Sequence, residues 1–78
     1  VEPGSFKENF DVNEMVRDAV AKLPRKLKEP LILRDFEGMS YQEIADATGI
    51  EIGTIKSRIF RARESLKKML QPWREELL

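Results

Sequence analysis

The stretch Ser40–Arg63, SYQEIADATGIEIGTIKSRIFRAR, decides the fold of this 78-residue chain. Ser40 precedes an apolar-periodic run, and Glu43 follows three residues later. The Ser hydroxyl can accept from an orphan amide of the first turn while the Glu carboxylate reaches back to Ser40, a capping box that starts a helix at Tyr41. Ile44, Ala45 and Thr48 share a face at helical spacing. Gly49 then stops the helix, because glycine enters the left-handed conformation without a Cβ penalty. About three residues, Ile50 to Ile52, remain for a turn, which suits a helix-turn-helix connection.

The second helix begins near Ile52 or Gly53. Ile52, Ile55, Ile59, Ala62, Leu66 and Met69 or Leu70 recur at alternating steps of three and four, which makes one buried stripe. At about 100° per residue, the opposite side carries Thr54, Ser57, Arg58 and Arg61, flanked by Lys56, Phe60 and Arg63. Between Gly53 and Lys68 stand six basic residues, Lys56, Arg58, Arg61, Arg63, Lys67 and Lys68, against the single acid Glu64. One carboxylate cannot neutralise that face through i,i+4 pairs, so the local field is strongly positive and suits a nucleic-acid backbone. Phe60 sits one step off the stripe among these cations. A ring there either presses on a thymine methyl or a sugar, or packs on the stems of Lys56 and Glu64, or simply sits exposed.

Working outward, Gly38 ends a segment whose core candidates are Leu31, Ile32, Leu33 and Phe36. Pro30 lacks an amide hydrogen and suits the first position of a new helix, Pro30 to about Phe36, after a turn of helix from Arg25 to Glu29, so a kink or a fresh start is expected there. Leu23-Pro24 breaks an earlier helix, since the residue before proline is pushed away from helical angles. That helix, capped by Asp11 or Asn13, runs to about Lys22 with Val12, Met15, Val16, Ala19, Val20 and Leu23 apolar. Residues 1–10, VEPGSFKENF, show no period and read as a flexible linker or as the remnant of a tag. Pro72 terminates the long helix, residues 74–78 form a C-terminal tail, and Trp73 either folds back on the core or stands as an exposed contact. The fold is all-α: about four short helices in one domain, 11–73, ending in a helix-turn-helix with a long recognition helix.

Composition bounds the chemistry. The charged fraction is 36% with zero formal net charge, so the information lies in the distribution of charge. Residues 35–51 carry five acids, Asp35, Glu37, Glu43, Asp46 and Glu51, and no base, immediately before the basic helix. A domain of this size buries only about 60% of its unfolded surface, which makes the core thin. The absence of cysteine and histidine excludes disulfides and the usual zinc spacings and fits a reducing, cytoplasmic setting. No signal peptide and no apolar run of membrane-spanning length appears. No catalytic residue and no cofactor is expected: there is no Gly-rich phosphate loop, and Ser57 has no base within a helical turn other than Arg or Lys.

The run Leu23–Arg63, with LP followed by basic residues, an apolar LILR segment, DFEGMSYQEIA, then GIEIGTIKSR and RAR, resembles region 4 of a bacterial RNA polymerase sigma factor of the extracytoplasmic-function group. The SRIFRARE segment and Gln71-Pro72 are similar to the envelope-stress, sigma-E-like type. The resemblance implies recognition of the promoter −35 element in the major groove of double-stranded DNA. It puts Lys56, Ser57, Phe60 and Arg61 at base edges, and Arg34, Tyr41, Gln42, Thr54, Arg58 and Arg63 at the backbone. It also implies that the RNA polymerase core, through its β flap and β′, meets an apolar surface at Leu31, Ile32 and Phe36, that an anti-sigma factor covers the DNA-binding face, and that the domain is a monomer without membrane insertion. The family carries a preceding region 2 that melts the −10 element, and with the missing initiator Met this leads to the expectation that the chain is a fragment that does not initiate transcription alone.

Two departures from the family pattern stand out. Lys56 replaces an Arg, and a single ammonium cannot form the bidentate fork. Glu51-Ile52 replaces the commoner Pro-Val pair at the turn. Two other functions compete with this reading: a LuxR-like response-regulator output domain, which would dimerise on two half-sites, and a protein-interaction module whose basic helix binds an acidic partner.

Overall fold

The computed structural model describes residues 12–73. The expected linker 1–10, the Asp11 cap and the tail 74–78 lie outside the described residues. Four helical segments follow one another: α1 (Val12–Ala21), α2 (Arg25–Leu31, continued by a wider π-helical turn at Ile32–Phe36), α3 (Tyr41–Thr48) and α4 (Ile52–Leu70), with a short 3₁₀ turn at Gln71–Trp73. Among the described residues there is no strand, and no helix is long and apolar enough to cross a membrane.

Of the kink or fresh start expected at Pro30, the fresh start is corrected. Pro30 lies inside α2, buried, and the helical course continues through Leu31. Its missing amide removes one backbone bond of the helix, and its ring disfavours tight winding just before it. The chain remains helical but widens afterwards: the Glu37 amide donates to the Ile32 carbonyl at 3.0 Å and the Met39 amide to the Leu33 carbonyl at 3.0 Å. Gly38, at φ +76°, then reverses the chain. Asn13 is the second residue of α1 rather than its cap.

The start of α3 follows the sequence pattern closely. Ser40 Oγ accepts from the Glu43 amide at 3.0 Å, and the Ser40 amide donates to Glu43 Oε1 at 2.7 Å, so both orphan donors are satisfied. Ser40→Ala is expected to cost about 1 kcal/mol, lowering the melting temperature by roughly 4–8 °C in a thermal melt, whereas Ser40→Asn should stay close to wild type. Gly49 ends α3 at φ +75°, with its amide on the Ala45 carbonyl at 2.8 Å. Glu51 takes φ −63°, ψ 143° as the N-cap of α4. That φ is the one a proline would impose, so the turn keeps its geometry without the family's Pro.

One core holds the four helices together. Val20, Leu23, Leu31, Ile44, Ile55, Ile59 and Ala62 are buried in contact, and Val16, Leu27, Leu33, Met39, Ile50 and Leu66 pack around them. α2 packs most extensively on α4, with α3 and α1 on its other sides. The stripe read from α4 is this core's spine. Trp73 folds back far enough to share a cleft with Met15, Ala19 and Met69 of α1 and α4, and stays 45% exposed.

Candidate nucleic-acid interface

With the stripe of α4 turned inward, the opposite side of that helix is solvent-facing. Lys56, Ser57, Phe60 and Arg61 are all exposed, Phe60 at 64%. Both the Phe60 ring and the Arg61 guanidinium are thus open to solvent. Ser57 Oγ donates to the Thr54 carbonyl at 3.1 Å, which tucks the hydroxyl against its own helix and keeps that part of the surface low. Arg61 makes no ion pair among the described residues.

On one flank of α4, the start of α3 supplies an aromatic ring flanked by one cation from the α2 segment and one from α4. Tyr41 has the Arg34 guanidinium 4.6 Å from its ring centroid and the Lys56 ammonium at 5.3 Å, both within cation–π range. Arg34 also donates to the Met39 carbonyl at 2.9 Å, so this half-buried side chain braces the turn into α3. Its expected place at the backbone is thus shared with a structural role. Gln42 is exposed at the N-terminus of α3 and donates to Asp46 at 2.9 Å.

Arg63 stands on the same flank, where Nε and an outer guanidinium nitrogen donate to the two carboxylate oxygens of Asp35 at 3.0 and 2.6 Å. Hydrogen bonding to Asp35 holds the Arg63 guanidinium above its ordinary pKa. The sequence pattern missed this pair, because its members lie 28 positions apart.

The other flank departs from the helical-wheel reading. Arg58 is half-buried rather than fully outward, because three steps from the buried Ile55 is about 60° around the helix. It lines a cleft with Arg25 and Lys26 of α2 over Ile44, Ile50 and Ile55. Thr54 Oγ1 donates to Glu51 at 3.3 Å and closes the first turn of α4. Thr48 staples the turn: its hydroxyl donates to the Ile44 carbonyl at 2.7 Å and accepts from the Ile50 amide at 3.2 Å.

The expected apolar docking surface is also corrected in one member. Leu31 is 1% exposed and belongs to the core, so it offers nothing to an outside partner. Ile32 and Phe36, with Phe36 46% exposed, line a cleft with Arg17, Val20 and Lys28 on the side of α1 and α2. Among the described residues no group of acids, His or Cys could hold a metal ion.

A helix-turn-helix whose second helix buries one stripe and turns a cationic face with a bare aromatic ring outward defines a nucleic-acid-binding module. Residues 13–66 match the family described as Sigma-70, region 4, and the chain belongs to that family. It is 45% identical over 62 residues to the RNA polymerase sigma-H factor of Pseudomonas aeruginosa, an overlap of 80% of this chain and 32% of that protein. It is 42% identical over 62 residues to the ECF RNA polymerase sigma-E factor of Haemophilus influenzae, covering 80% and 33%, and 41% identical over 72 residues to that of Escherichia coli K12, covering 87% and 38%. The chain spans about a third of the length of the curated relatives it matches.

Proposed function

We propose that this chain is the −35-recognition domain of an extracytoplasmic-function sigma factor and directs RNA polymerase to promoters by binding duplex DNA. The observation that carries the reading is the outward face of α4, where an exposed Phe60 and an ion-pair-free Arg61 stand beside Lys56 and Ser57. In this reading α4 lies in the major groove. Arg61 donates two bonds to the acceptor pair of a guanine, Phe60 meets thymine methyls, Ser57 allows close approach, and Lys56 gives one further donor to a base edge.

Arg34, Tyr41, Gln42, Thr54, Arg58 and Arg63 serve the sugar-phosphate backbone, which fixes register without reading sequence. The amide groups at the start of α3 favour a phosphate beside Tyr41 and Gln42. Ile32 and Phe36 form the apolar part of the surface offered to the flap of the polymerase β subunit, and an anti-sigma protein is the regulator that would cover the cationic face. The domain acts as a monomer within the longer sigma factor.

The test is fluorescence anisotropy of the chain with a GGAAC-type −35 duplex, the element suggested by the likeness to envelope-stress factors, and with a scrambled duplex, at two salt concentrations. Preference for the first duplex is expected. Arg58→Ala should weaken both duplexes alike and lower the salt slope by about one. Failure to bind any duplex at low salt, together with tight binding to one acidic protein, would replace this reading with an interaction module.

A further inference from the structure

Asp35 stands in the last turn of the α2 segment, where the helix's carbonyl end makes an anion electrostatically unfavourable. Its carboxylate nevertheless holds Arg63 through two N–H···O bonds at 2.6 and 3.0 Å, across 28 positions of sequence. Two parallel bonds onto paired anionic oxygens are also how a guanidinium takes a phosphate. The pair lies beside Tyr41, which has Arg34 and Lys56 over its ring, and Arg34, Tyr41 and Arg63 are all among the residues assigned above to the DNA backbone. Both side chains remain partly open to solvent, 47% for Arg63 and 34% for Asp35, so a competing anion can reach the pair and little energy resists its opening.

We propose that Asp35 is an internal substitute for a DNA phosphate: it occupies Arg63 in the free chain and must be displaced before Arg63 takes the backbone. The inference rests on the DNA-binding reading above. Its consequence is a brake that acts on every duplex alike, because phosphate contacts carry no base information. The sequence preference set by Lys56, Ser57, Phe60 and Arg61 is untouched, while overall affinity and the number of phosphates neutralised are both held down.

The experiment is a double-mutant cycle by fluorescence anisotropy on the 78-residue chain: wild type, Asp35→Asn, Arg63→Ala and the double variant, each with the GGAAC-type and scrambled duplexes at two salt concentrations. Asparagine keeps the shape of Asp35 but cannot offer two anionic oxygens. Asp35→Asn should tighten binding to both duplexes by about two- to five-fold at low salt, the range of an exposed ion pair, and steepen the salt slope by up to about one. In the Arg63→Ala background the gain should shrink to the residual effect of one removed charge.

Asp35→Ser is expected to repeat the result, and thermal melts of all variants show that each is folded. Weaker binding by Asp35→Asn would overturn the proposal, since Asp35 would then be orienting Arg63 toward the DNA. So would an equal gain with and without Arg63, which would reduce the effect to net charge. The cycle reads affinity and salt slope on either duplex, whereas the underlying reading stands or falls on the wild type's preference between them, so the two can fail separately.

Discussion

Arg61→Ala is expected to remove about 1–3 kcal/mol of discrimination between the −35 duplex and a scrambled one, roughly a five- to 150-fold fall in the ratio of affinities. The argument begins with position. Arg61 is exposed one residue from Phe60 and one turn from Ser57, and its fork is not committed to any ion pair among the described residues. Arg63, two residues on, is committed to Asp35. A planar fork matches the two acceptors on the major-groove edge of guanine better than a flexible ammonium does, so Arg61→Lys should restore the salt slope lost in the alanine variant and only part of the preference. Anisotropy at two salt concentrations separates these terms. Equal weakening of both duplexes by Arg61→Ala would make Arg61 a backbone contact and move base reading to its neighbours.

The features legible in the sequence are those set by local rules. The capping box at Ser40 and Glu43, the left-handed Gly49 and the stripe through Ile55, Ile59 and Ala62 each depend on neighbours within one or two turns, and the structure contains all of them. Where periodicity was the only guide, errors came at the edges of faces. Arg58 sits on the shoulder of the stripe and is half-buried, and of the core candidates Leu31 to Phe36, Leu31 is core while Phe36 is 46% exposed. A run such as Leu31-Ile32-Leu33 has no polar position to say which member points inward. That is settled only by where α2 meets α4.

Pro30 misled for a related reason. Its lost amide bond suggested a break, but burial of Pro30 and Leu31 against the rest of the domain keeps the segment helical and shifts the irregularity into the wider turn that follows. The Asp35–Arg63 pair and the placing of Arg34 and Lys56 over Tyr41 were beyond local rules altogether, because each joins helices whose crossing had first to be known. The flank of the interface is therefore a product of the tertiary fold, while its outward face is a product of the α4 sequence.

Ile59→Ala and Phe60→Ala should divide stability from recognition at adjacent positions. Ile59 is 1% exposed, within the cluster that includes Leu31, Ile44 and Ile55, and truncating such a side chain removes its transfer free energy and leaves a cavity, about 2–5 kcal/mol together. At about 0.05–0.15 kcal/mol per residue, a 78-residue chain has roughly 4–12 kcal/mol to lose. The melting temperature should drop by at least about 8 °C, and where the cost lies at the upper end and the stability at the lower end of these ranges the variant would be largely unfolded at room temperature. Phe60, 64% exposed, should melt within a few degrees of wild type when truncated, yet lose preference for the −35 duplex. DNA provides the cross-check. A ligand that binds only the folded chain raises its stability by mass action, so saturating −35 duplex should recover part of the melting temperature lost by Ile59→Ala. The same duplex should give Phe60→Ala a smaller rise than wild type, because that variant's defect lies in the contact itself. Equal recovery for both variants would mean that Phe60 does not touch the bases, leaving its exposed ring to pack on the stems of Lys56 and Glu64.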